Sequence, residues 1–231
     1  MSPRRPTPSP APTYASLLAD DLRGRILSGE LPAGMPLREE TLASETGRSR
    51  HTVRTALALL TAERLAIQEP HRGIRVTSFS AEDAIGLQQL RSALEAEAIR
   101  LTRDQHGSDW PDELMNPIRE SMTQLEQTVA EHPTDWPVLA AAHAGVHRAV
   151  VAASQSPRLI EAYAGLDSEM LLLLVNLRPT YSANELLRVH REYVEAVVSV
   201  GESAVRQHLD YGVQQLSPRS SRGRGNQLPR N

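Results

Sequence analysis

One short stretch, from Gly47 to Leu57, concentrates side chains that can bind nucleic acid. It reads Gly-Arg-Ser-Arg-His-Thr-Val-Arg-Thr-Ala-Leu, so guanidinium, hydroxyl and imidazole groups come first and apolar residues follow at helical spacing. Arginine bonds guanine edges or phosphates with two nitrogens, and hydroxyl groups bond phosphates. The first turn of such a helix can enter a major groove while its apolar side packs against the rest of its domain. The stretch therefore predicts DNA contact. The alternative is that Ser49 only caps the helix and that the arginines are solvated surface groups.

The flanking sequence predicts the elements that would hold such a helix. Apolar residues recur at helical spacing before it, and Gly29 and Gly47 end the first two helices. After it, two short apolar runs flank a Pro-His-Arg-Gly turn, which predicts a hairpin. The order helix, helix, turn, helix, hairpin predicts a winged helix-turn-helix. The predicted elements are three helices over Tyr14–Ser28, Arg38–Thr46 and Ser49–Arg64, and two strands within Ala66–Val76 with their turn at Pro70–Gly73.

Beyond Phe79 the pattern is helical, with Pro and Gly near the ends of each apolar run. Six helices joined by short links predict an antiparallel all-α bundle, so the fold class is mainly α. The Pro-rich residues 1–13 predict a disordered arm, and the Ser, Arg and Gly of 217–231 predict a flexible basic tail. The predicted domains are 14–78 for the winged helix-turn-helix and 79–216 for the bundle. The predicted bundle helices span roughly 80–104, 111–130, 135–154, 157–177, 183–199 and 202–216.

Composition narrows the function further. The chain has no cysteine, which excludes disulfides and cysteine-ligated metals. No apolar run approaches the roughly 20 residues of a membrane helix, and the first residues lack the apolar centre of a signal peptide, so we expect a cytoplasmic protein. Residues 1–79 hold eleven arginines against eight acidic residues, whereas residues 80–216 hold ten against twenty. Because residues 1–79 are basic and residues 80–216 are acidic, we expect nucleic-acid contact in the N-terminal part only.

The N-terminal part resembles the GntR family of bacterial transcription regulators. Three segments carry the resemblance: Ser28–Ala43 around the first turn, Ser49–Leu57 with its Ser-Arg-x-x-Val-Arg-x-Ala-Leu pattern, and Arg72–Val76 with Arg-Gly in the wing. Arg48 stands where the family usually has Val or Ile, and residues 64–66 replace the common Gly-Leu-Val. The resemblance implies DNA contacts from nine residues. They are Arg38, Ser49, Arg50, His51, Thr52, Arg54, His71, Arg72 and Gly73.

The C-terminal part resembles the FCD effector-binding domain that accompanies many GntR regulators. The matching segments are Leu90–Glu95, His147–Ala149, His190 with Ala196, and His208 with Leu209. In that family an Asp and three His often bind a divalent metal, and here a His takes the place of the Asp. Four imidazoles favour zinc, nickel or copper over manganese, and of these we expect zinc or nickel. The implied metal ligands are His143, His147, His190 and His208.

Two features of this implied metal site depart from the family. His143 replaces the Asp and lies four residues before His147, so both share a helix face that suits chelation of one ion. The gap between His190 and His208 is about one helical turn shorter than the family's usual spacing. The alternative is a metal-free pocket in which some of these histidines bind the effector directly.

The resemblance also implies an effector contact at Arg91. A carboxylate effector would bridge the metal and this guanidinium, whereas the alternative is a surface ion pair between Arg91 and Glu95. The family suggests a small organic acid, a sugar acid or a fatty-acid-like metabolite. The apolar segment Met170–Leu177 either lines a pocket or belongs to the core.

Together these features predict a ligand-responsive transcription regulator that binds a palindromic DNA operator as a homodimer. We expect a repressor, and an activator is the alternative. Effector binding would move the two DNA-binding parts away from the half-site spacing. Two alternatives belong to other classes: an all-α metalloenzyme with a DNA-targeting N-terminal part, and a DNA-binding protein without an effector. The sequence has no His-Glu-x-x-His motif, and no carboxylate lies at the sequence spacing from the histidines that is typical of a catalytic base. We therefore predict that the chain is not an enzyme.

Overall fold

The computed structural model describes residues 11–177 and 182–216. Those residues form ten helices and one two-stranded sheet, which confirms the predicted mainly α fold class. Most of the predicted disordered arm (1–10) and the whole predicted basic tail (217–231) lie outside the described residues. The elements are α1 (Tyr14–Ser28), α2 (Glu39–Thr46), α3 (Arg50–Ala62), β1 (Ala66–Glu69), β2 (Gly73–Val76), α4 (Ala81–His106), α5 (Asp112–Glu131), α6 (Trp136–Ala152), α7 (Pro157–Ala164), α8 (Asp167–Leu177), α9 (Ala183–Ser199) and α10 (Glu202–Leu216).

Three helices and the hairpin form an N-terminal unit around one apolar core. α1 packs against α3, and Leu57 and Leu60 of α3 are fully buried in that core. Gly29 ends α1 in the left-handed conformation (φ +84°), which glycine adopts without strain. The two strands are antiparallel, with Ala66 opposite Val76 at the base of the hairpin. The predicted winged helix-turn-helix is confirmed.

Among the described residues, seven helices, α4 to α10, form the C-terminal bundle. α6 is central to it and contacts α4, α5, α7, α8 and α9. Its sequence is rich in Ala, Val and other apolar residues, as expected for a helix covered on several sides. α4 begins with a capping box in which the side chains of Ser80 and Asp83 each accept from the other's backbone N–H. In this part of the chain and in the N-terminal unit alike, none of the described helices has the length and apolar character needed to cross a bilayer.

The predicted single helix over 157–177 is wrong in one respect, because the structure divides it into α7 and α8. Gly165 and Leu166 form a turn, and the Leu166 N–H donates to the Tyr163 carbonyl at 2.9 Å. Glycine is a poor helix former, and Asp167 suits the positive N-terminus of a new helix. The apolar period continues through the turn, so periodicity alone did not show the break.

α8 joins the bundle to the N-terminal unit. Its Leu172 is 3% exposed and belongs to the N-terminal apolar core. The Ser168 hydroxyl donates to the carboxylate of Glu63, just after α3, at 3.4 Å. The guanidinium of Arg64 lies 3.5 Å from the carboxylate of Glu169. The two units therefore meet through both apolar and charged contacts along α8.

Candidate DNA interface and histidine cluster

The beginning of α3 carries four of the nine predicted DNA contacts. Ser49 is the N-cap residue, and its hydroxyl accepts a hydrogen bond from the Thr52 N–H at 3.1 Å. Ser49 therefore has the capping role, and a DNA contact would come in addition to it. His51 is exposed on the same turn, whereas Thr52 is half-buried. Contact of these residues with DNA stays a prediction.

The two arginines of α3 are exposed and form ion pairs with α2. Arg50 donates to Glu40 at 2.7 Å, and Arg54 donates to Glu39 through two nitrogens, at 3.0 and 2.8 Å. The hydrogen bonds from Arg54 lower the pKa of Glu39. Exposed pairs of this kind contribute little free energy, so both guanidinium groups can exchange these carboxylates for phosphates or base edges.

The remaining predicted DNA contacts lie at the wing and before α2. His71, in the turn between β1 and β2, and Gly73, the first residue of β2, both have left-handed backbone angles, φ +62° and +76°. Any side chain at position 73 would strain this turn, which explains the glycine. Arg72 lies exposed, 3.7 Å from Glu69. Arg38 is the exposed N-cap residue of α2.

Four histidines from three helices meet inside the bundle. α6 carries His143 and His147, α9 carries His190, and α10 carries His208. One nitrogen from each of the first three lies within 4.8 Å of the others. The ring centroid of His208 lies 4.6 Å from that of His190 and 5.3 Å from that of His147. The structure therefore brings His143, His147 and His190 to a spacing that could hold one ion, whereas His208 packs beside them outside that donor group, so its role as a ligand stays a prediction.

Two hydrogen bonds fix the tautomers of His147 and His190. Nδ1 of His190 lies 2.6 Å from the carbonyl oxygen of Leu186, which can only accept, so this nitrogen carries the proton. Nδ1 of His147 faces a carboxylate oxygen of Glu95 at 3.1 Å in the same way. In the neutral rings both Nε2 atoms then present lone pairs to each other, 2.9 Å apart.

Facing lone pairs repel each other unless a cation lies between them. Zinc bound tetrahedrally at about 2.0–2.1 Å spaces its nitrogen ligands by roughly 3.4 Å. Nε2 of His147 and Nε2 of His190 would have to move apart by only about half an ångström to reach that spacing. The donor set therefore fits a divalent ion.

Burial keeps these imidazoles neutral. Removal from water lowers the pKa of all four below the ordinary value of histidine, and for His190 to about 4. The positive charge of Arg91 lowers these pKa values further. Because neutral imidazole is the form that ligates metals, the cluster is ready to bind an ion near neutral pH.

A fully buried carboxylate, Glu95, holds the cluster in place. Its Oε2 faces His147 and accepts from the Tyr193 hydroxyl at 2.7 Å. Its Oε1 accepts from the Tyr163 hydroxyl at 2.5 Å and from Nε of Arg91 at 2.7 Å. The ion pair of Arg91 with Glu95 is therefore present, but the surface location considered for it is wrong, because the two side chains are 4% and 0% exposed.

A small cavity of about 30 Å³ lies beside the histidines and is bordered by Arg91 and Gln88. Within the described part of the chain, Nη2 of Arg91 and Oε1 of Gln88 are buried without a hydrogen-bond partner. Buried polar atoms are rarely left unpaired, so water or a ligand in the cavity would satisfy these two. Met170 and Leu173 of α8 form part of the apolar wall. The apolar segment that begins at Met170 therefore lines a pocket on one side and joins a core on the other.

Sequence reasoning missed Gln88, Glu95, Tyr163 and Tyr193 as site residues. Gln88 and Glu95 flank Arg91 at spacings of three and four on α4, so the three share one helix face. Three polar residues on one face of a helix that packs into the bundle are unusual, and this pattern could have indicated a site. The tyrosines gave no such signal, because each reaches Glu95 only through the fold, across 68 and 98 residues of chain.

The fold and the site together define a winged-helix DNA-binding unit joined to a helical bundle with a histidine-lined cavity. The model of the bacterial regulatory proteins of the gntR family matches residues 15–76, and the FCD domain model matches residues 87–213. The chain belongs to the GntR family of bacterial transcription regulators and carries a C-terminal FCD domain.

Two relatives agree with this assignment, and one solved structure shares the fold. The chain is 30% identical to the "Probable D-xylose utilization operon transcriptional repressor" of Paenarthrobacter nicotinovorans, over 92% of this chain and 91% of that protein. It is 26% identical to the HTH-type transcriptional repressor GlaR of Escherichia coli, over 81% of this chain and 89% of that protein. A GntR transcriptional regulator from Rhodococcus sp. RHA1 has the same fold, with a TM-score of 0.68 at 22% identity, over 87% of this chain and 96% of that chain. These relatives are regulators and not enzymes, which confirms the prediction that the chain is not an enzyme.

Proposed function

We propose that the protein is a ligand-responsive repressor that binds a palindromic DNA operator as a homodimer and releases it when a small carboxylate metabolite enters the bundle. Two relatives are named as repressors, which supports repression and not activation. The exposed arginines of α3 and the Arg-Gly turn of the wing support contact with the major groove and the adjacent phosphates. A homodimer matches the two-fold symmetry of a palindromic site.

The observation that carries this proposal is the pair of facing Nε2 atoms of His147 and His190, beside an unpaired guanidinium nitrogen. His143 and His208 complete a donor set of neutral imidazoles, which suits zinc or nickel. When bound, the ion supplies a positive charge that attracts a carboxylate. Because His143 stands where a carboxylate ligand is usual, no ligand neutralises that charge, and an anionic effector is favoured.

Arg91 gives the effector its second contact. Glu95 holds Nε of this guanidinium, so the group is fixed in orientation before any ligand arrives. Nη2 of Arg91 borders the cavity and has no hydrogen-bond partner among the described residues, so it can donate to a carboxylate oxygen of the effector.

α8 carries the response to the DNA-binding unit. The helix lines the cavity with Met170 and contributes Leu172 to the N-terminal core. A ligand larger than the cavity displaces α8 and, with it, the N-terminal unit. In a dimer this changes the distance between the two recognition helices, so that they no longer fit the half-site spacing.

Metal content tests the buried site. Protein purified without a His-tag would be measured by elemental analysis, as wild type and as the double variant His147→Ala, His190→Ala. We expect about one zinc or nickel per chain in the wild type and none in the double variant. The exposed His132→Ala is the matched control and should keep its metal. A wild type that binds no added divalent ion would contradict the metal site.

DNA selection tests the regulator. Genomic fragments bound by the wild type would be sequenced, and we expect a palindrome with half-sites about one helical turn apart. The bound fragment would then be titrated with Arg54→Ala. Retention of wild-type affinity and specificity by this variant would contradict the proposed recognition helix.

A further inference from the structure

Arg48 lies between α2 and α3, immediately before the N-cap residue of α3. The residue is exposed, and its guanidinium carbon lies 4.5 Å from the centre of the Tyr14 ring, at the first residue of α1. A guanidinium stacks well on an aromatic face, and the contact holds a side chain that would otherwise move freely in water. Tyr14 therefore fixes this positive charge beside the beginning of α3.

The stacked guanidinium keeps its hydrogen-bonding edge open. Stacking uses the flat face of the group, whereas its N–H donors point outward in the plane. With the residues that the structure describes, Arg48 forms neither an ion pair nor a hydrogen bond. Arg50 and Arg54 of α3 differ, because carboxylates of α2 accept from their guanidinium groups. Arg48 can therefore bind an anion without first breaking an ion pair of this kind.

The location of this charge favours a phosphate over a base edge. The first turn of α3 is the part expected to enter the major groove, and phosphates line the two edges of that groove. The guanidinium of Arg48 lies over the beginning of α1, to one side of α3, so it faces an edge of the groove. A phosphate oxygen accepts from the donors in the open plane of the guanidinium.

We propose that Arg48, stacked on Tyr14, binds a phosphate of the DNA backbone at the edge of the major groove. The inference rests on the DNA binding proposed above and adds a contact outside the nine residues that the family resemblance implies. Val or Ile, which the family usually has at this position, cannot form the contact. A phosphate contact carries no sequence information, so Arg48 raises the affinity for every duplex alike.

Arg48→Val tests the contact by placing an apolar residue of the usual kind at an exposed position. Fluorescence anisotropy would measure the affinity of the full-length protein for the selected operator fragment and for a random-sequence duplex of equal length. At about 0.15 M salt, counterion release makes one phosphate contact worth about five-fold in affinity. We expect Arg48→Val to lose about this factor on both duplexes for each protomer bound, and the salt slope to fall by about one per protomer.

The matched control is Arg158→Val, which makes the same change of charge at a side chain of the bundle that is 91% exposed. This variant should keep the wild-type affinity and salt slope on both duplexes.

Variants of Tyr14 test the stacking. Tyr14→Phe keeps the ring and should bind as the wild type does. Tyr14→Leu removes the face that holds the guanidinium and should lose part of the effect of Arg48. When Tyr14→Leu is combined with Arg48→Val it should cause no further loss, because the ring acts only through the guanidinium. Circular dichroism and thermal unfolding show that each variant is folded.

The possible failures are distinguishable. A wild type that binds neither duplex would overturn the proposed DNA-binding regulator, and the role of Arg48 with it. Unchanged affinity and salt slope in Arg48→Val would overturn the role of Arg48 alone. A loss confined to the operator would show that Arg48 reads a base, which would overturn the phosphate contact. Equal losses in Tyr14→Phe and Tyr14→Leu, or a further loss in the double variant, would overturn the stacked arrangement.

Discussion

At the residue scale, Glu95 orients two side chains that have different tasks. One of its oxygens faces Nδ1 of His147, and the other accepts from Arg91. A metal-ligating histidine is commonly held by such a carboxylate, and loss of the carboxylate typically costs 10- to 100-fold in metal affinity. The same carboxylate here also holds the guanidinium that faces the cavity.

Glu95→Gln is therefore expected to weaken zinc binding by about 10- to 100-fold, measured by competition with a chelator. The amide keeps the size of the side chain but removes the charge that holds the proton on Nδ1 of His147. Glu97→Gln is the matched control on the same helix, because this residue, whose side chain is 45% exposed, pairs only with Arg100 among its described contacts. An unchanged zinc affinity in a folded Glu95→Gln protein would contradict the positioning role.

The buried histidines also predict how stability depends on pH. Burial lowers the pKa of His190 to about 4, so between about pH 6.5 and 4 the unfolded chain binds more protons than the folded one. The free energy of unfolding of chelator-treated protein should therefore fall as the pH falls through this window. Each proton contributes up to about 1.4 kcal/mol per pH unit.

Denaturant titrations at several pH values measure this slope. Replacing His208, whose pKa burial also lowers, by Leu removes one titrating group and should make the slope shallower. Stability that rises as the pH falls below 6.5 would contradict the neutral, buried state of the cluster.

At the element scale, α8 belongs to two cores at once. Leu172 packs into the N-terminal core, and Leu173, the next residue, lines the cavity of the bundle. Side chains that follow each other on a helix point to different sides, which is how one helix serves both cores.

Leu172→Ala should loosen the N-terminal unit while leaving the histidine cluster intact. Replacement of a buried leucine by alanine costs about 2–5 kcal/mol. We expect faster amide exchange in α1 and α3, with zinc affinity unchanged. Leu90→Ala, at a position that is 45% exposed, should change stability by no more than about 0.5 kcal/mol. Equal exchange rates in the Leu172→Ala and wild-type proteins would show that the two units are not coupled through this contact.

The elements differ in how far the sequence predicted them. Helices with clear caps were predicted closely, because Gly29 and Ser49 mark their ends through local chemistry. The division of α7 from α8 was missed, because only a turn without a change of period marks it. The four histidines came from family resemblance, whereas Glu95 and its tyrosines depend on contacts between distant parts of the chain that local patterns do not encode.

At the scale of the whole molecule, charge is divided between a basic N-terminal part and an acidic bundle. The division predicts that DNA affinity falls steeply with salt, as arginines displace counterions from phosphates. Arg50→Ala should reduce the slope of log affinity against log salt by about one if this residue holds a phosphate. Fluorescence anisotropy over a salt series measures the slope. Arg158→Ala, in the bundle and 91% exposed, should leave it unchanged.

The shared helix α8 also has a thermodynamic consequence. If the metabolite lowers the affinity for the operator through α8, linkage requires that the operator lower the affinity for the metabolite by the same factor. A molecule seated on its operator would then respond only at a higher metabolite concentration than a molecule free in solution. The number and strength of operators in a cell would thus set the concentration at which the regulator responds.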